Sequence, residues 1–437
     1  MRFSPSRRSP SRRAQAGRQI DWPRRSRAAS FWLPLVLYLA IAGCATAPQQ
    51  TESTDYLSRA ETQVDDGVRV TAVVLSPLES EQTFSLPLST KGVQPVWLEV
   101  ENQDREELFL MLLSLDPNYF APSEVAWRFK STGSEGLEAK LLRLLESHVP
   151  VVIPPHSTVS GFVYTNLDPG AKAFAVDLFG DGVLHSFEFA QIVPGFEADF
   201  MRVDFQRVYS PVEFQELSLD ELRAYLEELP CCVKGGDRET PGDPLNLVIV
   251  GDGRDMLAAL VRRGWDLTET LRGNTTWRTV FSSIFGSSYR TSPISPLYLF
   301  DRPQDMGLQK IRSNVDERNH LRLWLTPVTV GGQNVWAGQI SRDIGVKLSS
   351  KTFVTHKIDP VVDEARLYIT LDLAGSQAIQ AVGYVKGVGY SGREAPRHNY
   401  TDDPYYTDGL RVVLFLGDGR YPLESLDHLP WDKPPAR

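Results

Sequence analysis

The chain has 437 residues, enough for two domains of ordinary size, and its 42% hydrophobic and 23% charged residues are typical of a globular protein. The formal net charge is −9, and because residues 1–43 carry +8, residues 44–437 carry −17. Such an acidic chain excludes general binding to nucleic acid, which requires a basic surface.

Residues 1–43 are predicted to be a signal peptide. A basic stretch precedes an apolar run from Phe31 to Ala42, which is too short for a transmembrane helix. The sequence LAIAGC at residues 39–44 resembles a bacterial lipoprotein signal. This resemblance implies that Cys44 is acylated as the first mature residue, and that Ala45 directs the protein to the outer membrane, facing the periplasm. The alternative is an uncleaved anchor helix.

Residues 44–65 are polar and are predicted to be a tether. Residues 66–207 are predicted to form a first domain. Short strand-like runs separated by turn residues recur through it, which is typical of an antiparallel β-sandwich. A leucine-rich stretch from Gly136 to His148 predicts one amphipathic helix across an end of the sandwich.

Residues 208–241 are predicted to link two domains. A helix is expected to end near Leu229, with Ser218 as a candidate N-cap. The adjacent Cys231 and Cys232 could close a vicinal disulfide in an oxidising envelope. Buried thiols and a redox switch remain the alternatives, since the usual CxxC redox spacing is absent.

Residues 242–420 predict a second domain, and residues 421–437 a C-terminal tail. A buried strand at Leu245–Val250 precedes a helix at Asp255–Arg263, and Leu410–Leu416 is the closing strand. The order strand, helix, strand, hairpin, helix, strand predicts an α+β fold with a mostly antiparallel sheet and helices on one face. Gly251-Asp252-Gly253 lacks the rest of a phosphate-binding motif, so no cofactor is expected.

The hairpin around Gly331-Gly332 is the clearest element. Leucines at 321, 323 and 325 alternate with polar or aromatic residues, so the leucine face should be core and the other face polar and outward. A two-residue turn would place His320 opposite Asp343, Arg322 opposite Ser341, Trp324 opposite Gln339 and Leu323 opposite Ile340. The polar face is either a site on a rigid sheet or a solvated surface.

A second polar group follows the hairpin. His356, Asp359 and Asp363 have helical spacing, but Asp359-Pro360 is typical of an N-cap followed by proline at the first helical position. That pattern leaves Asp363 exposed in the first turn and His356 packed at a strand end. A catalytic role or a metal site are the alternatives, although no motif supplies further metal ligands.

Six segments of the second half are similar to the LssY C-terminal domain family of bacterial envelope proteins. The similarity covers roughly residues 242–417, and it supports an envelope location without assigning any residue a role. Its motifs contain Arg322, Arg342, Asp343, His356, Asp359 and Arg366. The segments are NLVIVGD (246–252), SPISPLYLFDRPQD (292–305), HLRLWLTP (320–327), VWAGQISRDIG (335–345), THKIDPVVDEAR (355–366) and DGLRVVLFL (408–416).

The sequence leaves two alternative functions open. The chain is either a non-catalytic envelope lipoprotein that binds a protein partner or a small anionic ligand, or a hydrolase acting on a phosphorylated or lipid-linked envelope compound. The catalytic candidates are His356, His320 and Asp343, and the ligand-binding candidates are Arg322, Arg342, Asp359 and Arg366. Because Arg322 and Arg342 should point to opposite faces and no nucleophile motif is present, the sequence favours the non-catalytic role.

Overall fold

The computed structural model describes residues 56–269, 291–312, 317–349, 353–417 and 419–435. The predicted signal peptide, Cys44 and the tether as far as residue 55 lie outside the described residues. The chain from residue 52 onward forms one compact unit. Within the described parts of the chain, no helix is both long and apolar enough to span a lipid bilayer.

Eight strands build two four-stranded sheets in the first half. Every pairing between them is antiparallel, and the sheet orders are β1-β2-β3-β6 and β5-β4-β7-β8. The strands are β1 (Glu61–Asp65), β2 (Val68–Val74), β3 (Val93–Asn102), β4 (Leu108–Leu110), β5 (Val152–Ile153), β6 (Ser157–Asn166), β7 (Ala171–Gly180) and β8 (Val183–Ile192).

The two sheets enclose one apolar core. Alternate residues of β2 and β3, such as Val70 and Leu98, meet Val176 of β7 and Phe187 of β8 in a single buried cluster. Strands β7 and β8 bury every second side chain over most of their length, as a sheet with one inward face requires. The sandwich expected from the alternating runs is therefore present.

The helices beside the sandwich are α1 (Pro77–Phe84), α2 (Leu112–Leu115), α3 (Pro122–Arg128) and α4 (Leu137–Glu146). Helices α1, α3 and α4 pack against the outer face of the first sheet, through Phe162 and Tyr164 of β6, and not across one end of the sandwich as predicted. The predicted helix at 136–148 is observed, and its Leu144 packs in a second apolar cluster with residues of the preceding helix.

The linking region carries more structure than the sequence predicts. Ser218 caps its main helix as expected, accepting a hydrogen bond from the backbone N–H of Glu221. The elements are α5 (Phe205–Val208), β9 (Gln215–Glu216), α6 (Leu219–Glu228), β10 (Cys232–Lys234) and β11 (Pro241–Pro244).

The second half is organised around a ten-stranded, mostly antiparallel sheet. Its order is β13-β16-β17-β18-β12-β23-β20-β24, with β19 beside β18 and β9 beside β17. The remaining elements are β12 (Leu247–Val250), α7 (Gly253–Arg262), β13 (Asp266–Leu267), β14 (Tyr298–Leu299), β15 (Arg302–Pro303), β16 (Met306–Ile311), β17 (Arg318–Val330), β18 (Gln333–Ser349), β19 (Phe353–Ile358), α8 (Val362–Gly375), β20 (Ile379–Val385), β21 (Arg397–His398), β22 (Pro404–Tyr405), β23 (Arg411–Leu416) and β24 (Asp427–His428).

Both faces of this sheet are covered, which corrects the expectation of a single covered face. Helices α7 and α8 pack on one face, where Leu323 and Ile340 join Met256 and Ile369. The other face is covered by α6 and by the small sheet β11-β10-β14-β15, with Trp324 at the centre of the contact. Strands that are buried on both faces must place every polar side chain beside an internal partner.

The hairpin β17–β18 has the predicted turn and faces but not the predicted pairs. Gly331 and Gly332 have φ of 56° and 75°, and the first pairs, such as Val330 with Gln333, follow the two-residue turn. A β-bulge between residues 325 and 329 then shifts the register by two. Consequently His320 faces Ser341 rather than Asp343, while every side chain keeps its predicted face because the side-chain period is two.

Truncation of Leu323 tests the assigned core. Its side chain is 0% exposed in the cluster beneath α8, so Leu323→Ala should lower the free energy of unfolding by about 2–5 kcal/mol. Urea denaturation measures the change. In the matched control Leu371→Ala, where the leucine is 63% exposed, the loss should stay below about 0.5 kcal/mol. Equal losses would contradict the assignment.

Candidate functional site

The non-leucine face of the hairpin is a buried polar layer rather than an outward surface. His320, Arg322, Gln339, Ser341 and Asp343 are all buried, which overturns the expectation of a solvated face. The alternation was interpreted correctly, but it does not reveal that a second layer covers the polar side. That layer consists of residues 291–305 and of the loop that carries Asn399.

Arg322 connects the covering layer to the sheet through hydrogen bonds. Its guanidinium donates to the carbonyl of Ser295 at 3.1 and 3.2 Å and to Gln339 Oε1 at 2.9 Å. Gln339 in turn donates to Asp243, which also accepts from Asn399 at 2.7 Å. Burial raises the pKa of Asp243, against the lowering effects of the Asn399 hydrogen bond and the Arg322 charge. Arg322 is thus engaged inside the fold and is not presented to a ligand.

The three catalytic candidates converge at the end of this layer. Nδ1 of His320 and Nδ1 of His356 each lie 3.5 Å from the same oxygen, Oδ2 of Asp343. The two imidazole rings are perpendicular, with centroids 6.0 Å apart. His356 reaches this face because it lies two residues before Ile358, which pairs with Asp343 across β18 and β19.

Arg318 fixes the orientation of one imidazole. Its Nη2 lies 3.5 Å from Nε2 of His356, and its Nη1 donates to Ser292 and to Gln309 at 2.6 and 2.7 Å. Because a guanidinium can only donate, Nε2 of His356 must accept. The proton of a neutral His356 then resides on Nδ1, which lies 3.5 Å from Oδ2 of Asp343.

Burial pushes both central groups toward their neutral forms. Desolvation raises the pKa of Asp343 from 3.8 to about 8, despite the opposing charges of Arg318 and Arg322. Desolvation also lowers the pKa of His320 well below 6.5, and the positive charges of Arg318 and Arg322 lower it further. Near pH 7 the carboxyl group therefore carries a proton and the imidazole of His320 is neutral.

These three groups form an electrostatically coupled cluster. Nδ1 of His320 and Nδ1 of His356 each lie 3.5 Å from Oδ2 of Asp343, which is longer than a hydrogen bond. Nε2 of His320 and Oδ2 of Asp343 are both buried and have no hydrogen-bond partner among the described residues, so both are candidate contact atoms for a ligand or a water molecule.

The other predicted ligand-binding residues lie elsewhere and serve the fold. Arg342 points to the opposite face from Arg322, as the alternation predicts, and stacks over Tyr368 of α8. Arg366 forms a bidentate ion pair with Asp408 at 2.6 and 2.8 Å and donates to the carbonyl of Leu410. The structure does not bring these residues to one anion site.

The predicted cap of α8 is wrong. The helix begins at Val362, and Asp359 instead accepts from the backbone N–H of Val361 in a turn before it. Asp363 is buried rather than exposed, since it accepts hydrogen bonds from Thr407 and from the backbone of Asp408. The loop between β20 and β23 folds back over the helix start, which local capping patterns do not reveal.

Cys231 and Cys232 form a vicinal disulfide. Cys232 Sγ lies 3.6 Å from the hydroxyl of Tyr405. The guanidinium of Arg411 donates to the carbonyls of Leu229 and Pro230 just before it. The cysteine pair is therefore part of the contact between α6 and the main sheet.

Sequence reasoning missed three members of the polar layer. Arg318, Gln309 and Ser292 come from three separate segments and meet only through the sheet order β16-β17 and its cover. Gln309 pairs with His320 across these strands, so correct strand pairing would have placed it on the same face. No local motif marks Asp243, which lies in the short strand β11.

The described residues do not form a transition-metal centre. Across residues 56–269 and the later described ranges, no group of three His, Cys, Asp or Glu side chains is arranged to hold an ion. The arginines beside the His320–Asp343–His356 cluster also oppose a cation there.

Residues 224–410 match the family model described as the LssY C-terminus. The match covers less than half of the chain and contains the whole polar layer. It begins inside α6, earlier than the resemblance at residues 242–417 indicates, and so takes in Cys231 and Cys232. None of the curated proteins matches the chain.

The raised pKa of Asp343 predicts a pH-dependent stability. The folded state holds this proton up to about pH 8, whereas the unfolded carboxyl group loses it near 3.8, so the stabilisation is lost as the pH rises from about 4 to 8. Between pH 5 and 8 the free energy of unfolding of the unmodified protein should fall by on the order of 1–4 kcal/mol more than that of Asp343→Asn. Urea titrations at both values measure this difference.

The exposed Asp427 provides the control. Asp427→Asn should show the pH dependence of the unmodified protein. Parallel behaviour of Asp343→Asn and the unmodified protein would show that the Asp343 carboxyl group ionises normally in the folded state.

Proposed function

We propose that this chain is a lipid-anchored envelope protein whose second half hydrolyses a phosphorylated or lipid-linked envelope compound. The observation that carries this proposal is the convergence of His320 and His356 on one oxygen of Asp343, each at 3.5 Å. Buried titratable groups with pKa values shifted by desolvation and by specific charges are typical of functional sites.

His320 is the proposed general base. In this proposal the 3.5 Å contact between Asp343 and Nδ1 of His320 shortens to a hydrogen bond when substrate binds. While Asp343 is protonated, Nδ1 then accepts its proton and Nε2 can only donate. When the cluster loses one proton, with an apparent pKa near 8, the carboxylate accepts from Nδ1 and the lone pair of Nε2 is released. Nε2 then removes a proton from water, the water oxygen attacks the ester centre, and the imidazolium returns this proton to the leaving group.

The remaining groups orient and stabilise. Arg318 orients His356, whose Nδ1 lies 3.5 Å from Oδ2 of Asp343. Arg318 and Arg322 also place two positive charges near His320, which favours an anionic substrate over a neutral one. A phosphorylated compound carries the negative charge that these arginines favour.

The contacts of the arginines favour hydrolysis over the non-catalytic role. Binding of a small anion by Arg322 or Arg366 requires free guanidinium donors, yet Arg322 is bonded to Ser295 and Gln339, and Arg366 to Asp408 and Leu410. In contrast, Nε2 of His320 is uncommitted among the described residues. A binding role would not require a proton shared between Asp343 and His320.

The envelope location rests on the N-terminal sequence. The LAIAGC ending at residues 39–44 and the apolar run before it support cleavage and acylation at Cys44. Several acyl chains hold a protein stably on a membrane. Ala45 supports outer-membrane delivery, which places the site in the periplasm.

Substitution of His320 tests the catalytic proposal. The full chain, screened against phosphomonoesters, phosphodiesters and pyrophosphate-linked isoprenoids, should turn over one class, and His320→Gln should reduce kcat by about 100-fold or more. The rate should rise with pH through about 8, and this rise should disappear in Asp343→Asn. His398→Gln, which alters an exposed imidazole, should retain full activity. Absence of turnover, or equal rates in His320→Gln, would reject hydrolysis.

Fatty-acid labelling tests the anchor separately. Cells that express the full chain should incorporate radioactive palmitate into the protein, and Cys44→Ala should abolish incorporation. Ala45→Ser retains the cysteine and should label normally. Equal labelling of the Cys44→Ala variant would refute acylation at this position without affecting the catalytic proposal.

A further inference from the structure

A row of exposed apolar side chains crosses the second sheet of the sandwich. Val152 of β5 pairs with Phe109 of β4, Phe109 pairs with Phe179 of β7, and Phe179 pairs with Leu184 of β8. Directly paired residues of antiparallel strands point to the same side, so the four side chains are neighbours. Their exposed fractions are 42%, 39%, 45% and 53% in this order.

The row is bounded on one side by polar groups. Asp177 lies two residues from Phe179 in β7, and Ser186 lies two residues from Leu184 in β8. Ser186 donates a hydrogen bond to Asp177, and Arg420 lies beside both. Exposed apolar residues also adjoin the row in sequence, namely Met111, Val151 and Val183. A contiguous apolar patch with a polar rim marks an interaction surface, whereas scattered exposed leucines do not.

The opposite side of this sheet forms part of the sandwich core. Leu108, Leu110 and Leu178 point into the sandwich core, so the strands require apolar residues there for folding. The core does not require phenylalanines at 109 and 179, since these face outward. Folding of the sandwich therefore does not explain the two exposed phenylalanines.

The length of the tether argues for the occupant. Eleven residues separate Cys44 from Tyr56, the first described residue, and this stretch can span at most about 40 Å. The two sheets of a sandwich are about 10 Å apart. An acylated Cys44 would therefore keep either face of the sandwich within reach of the bilayer, at a high effective concentration of lipid.

We propose that the row Val152–Phe109–Phe179–Leu184 inserts into the lipid surface and docks the sandwich on the membrane. This inference rests on the proposed acylation of Cys44. Burial of each phenylalanine side chain in the acyl region contributes roughly tenfold or more to the docked population, so two suffice once the anchor supplies proximity. Docking would hold the second half of the chain close to lipid-linked substrates.

The test uses an environment-sensitive fluorophore on an introduced thiol. Acylation consumes Cys44 and the disulfide consumes Cys231 and Cys232, so Leu184→Cys supplies the free thiol of the mature chain. Val212→Cys, where the valine is 92% exposed and distant in sequence from the row, is the matched control site. Each full, acylated protein is reconstituted on phosphatidylethanolamine–phosphatidylglycerol vesicles with or without brominated acyl chains.

The label at residue 184 should shift to the blue and be quenched by brominated lipid several-fold more than the label at residue 212. Adding Phe109→Ser and Phe179→Ser should reduce this quenching to the control value. Equal, weak quenching at both positions would overturn the docking proposal, and so would a blue shift that grows with protein density without quenching, since this would indicate a second copy on the row. Vesicle flotation reports the anchor independently: failure to float rejects acylation, whereas flotation without quenching rejects only docking.

Discussion

The covering of both faces of the hairpin β17–β18 determines most of the second half of this protein. Strict alternation directs Leu321 and Leu323 to α7 and α8, and His320 and Arg322 to the opposite face. Because that opposite face is also covered, each polar side chain on it needs an internal partner. The network running from Asp243 through Arg322 toward His320 meets this requirement, and the few atoms it leaves unsatisfied coincide with the proposed site.

The same constraint explains how the site obtains its proton affinity. A carboxyl group in water ionises readily, but Asp343 has exchanged water for two imidazole rings and the neighbouring arginines. Desolvation outweighs the attraction of the arginines, so the acid keeps its proton and the histidine beside it stays neutral. A compact, strand-rich frame thereby creates a proton donor and a proton acceptor from residues that are unremarkable on a surface.

Sequence patterns predicted the features that depend on local periodicity. The sandwich strands, the helix at 137–146, the Ser218 cap and the Gly331-Gly332 turn all follow from spacing and turn chemistry. The failures have two physical origins. The bulge before Thr329 lies within the hairpin and altered its pairs. Distant segments caused the others, since the loop near Thr407 buried Asp363 and residues 291–305 covered an expected surface. Alternation identifies a polar face but contains no information about what lies above it.

Imidazole nitrogen chemical shifts measured by nuclear magnetic resonance across pH 5 to 9 test the shared proton most directly. Selective assignment through His320→Gln and His356→Gln distinguishes the two rings. The account predicts a neutral His356 protonated at Nδ1, a neutral His320 protonated at Nε2 near pH 7, and a coupled change in both rings near pH 8. Two independent titrations near pH 6.5, each with the free-histidine mixture of tautomers, would contradict it.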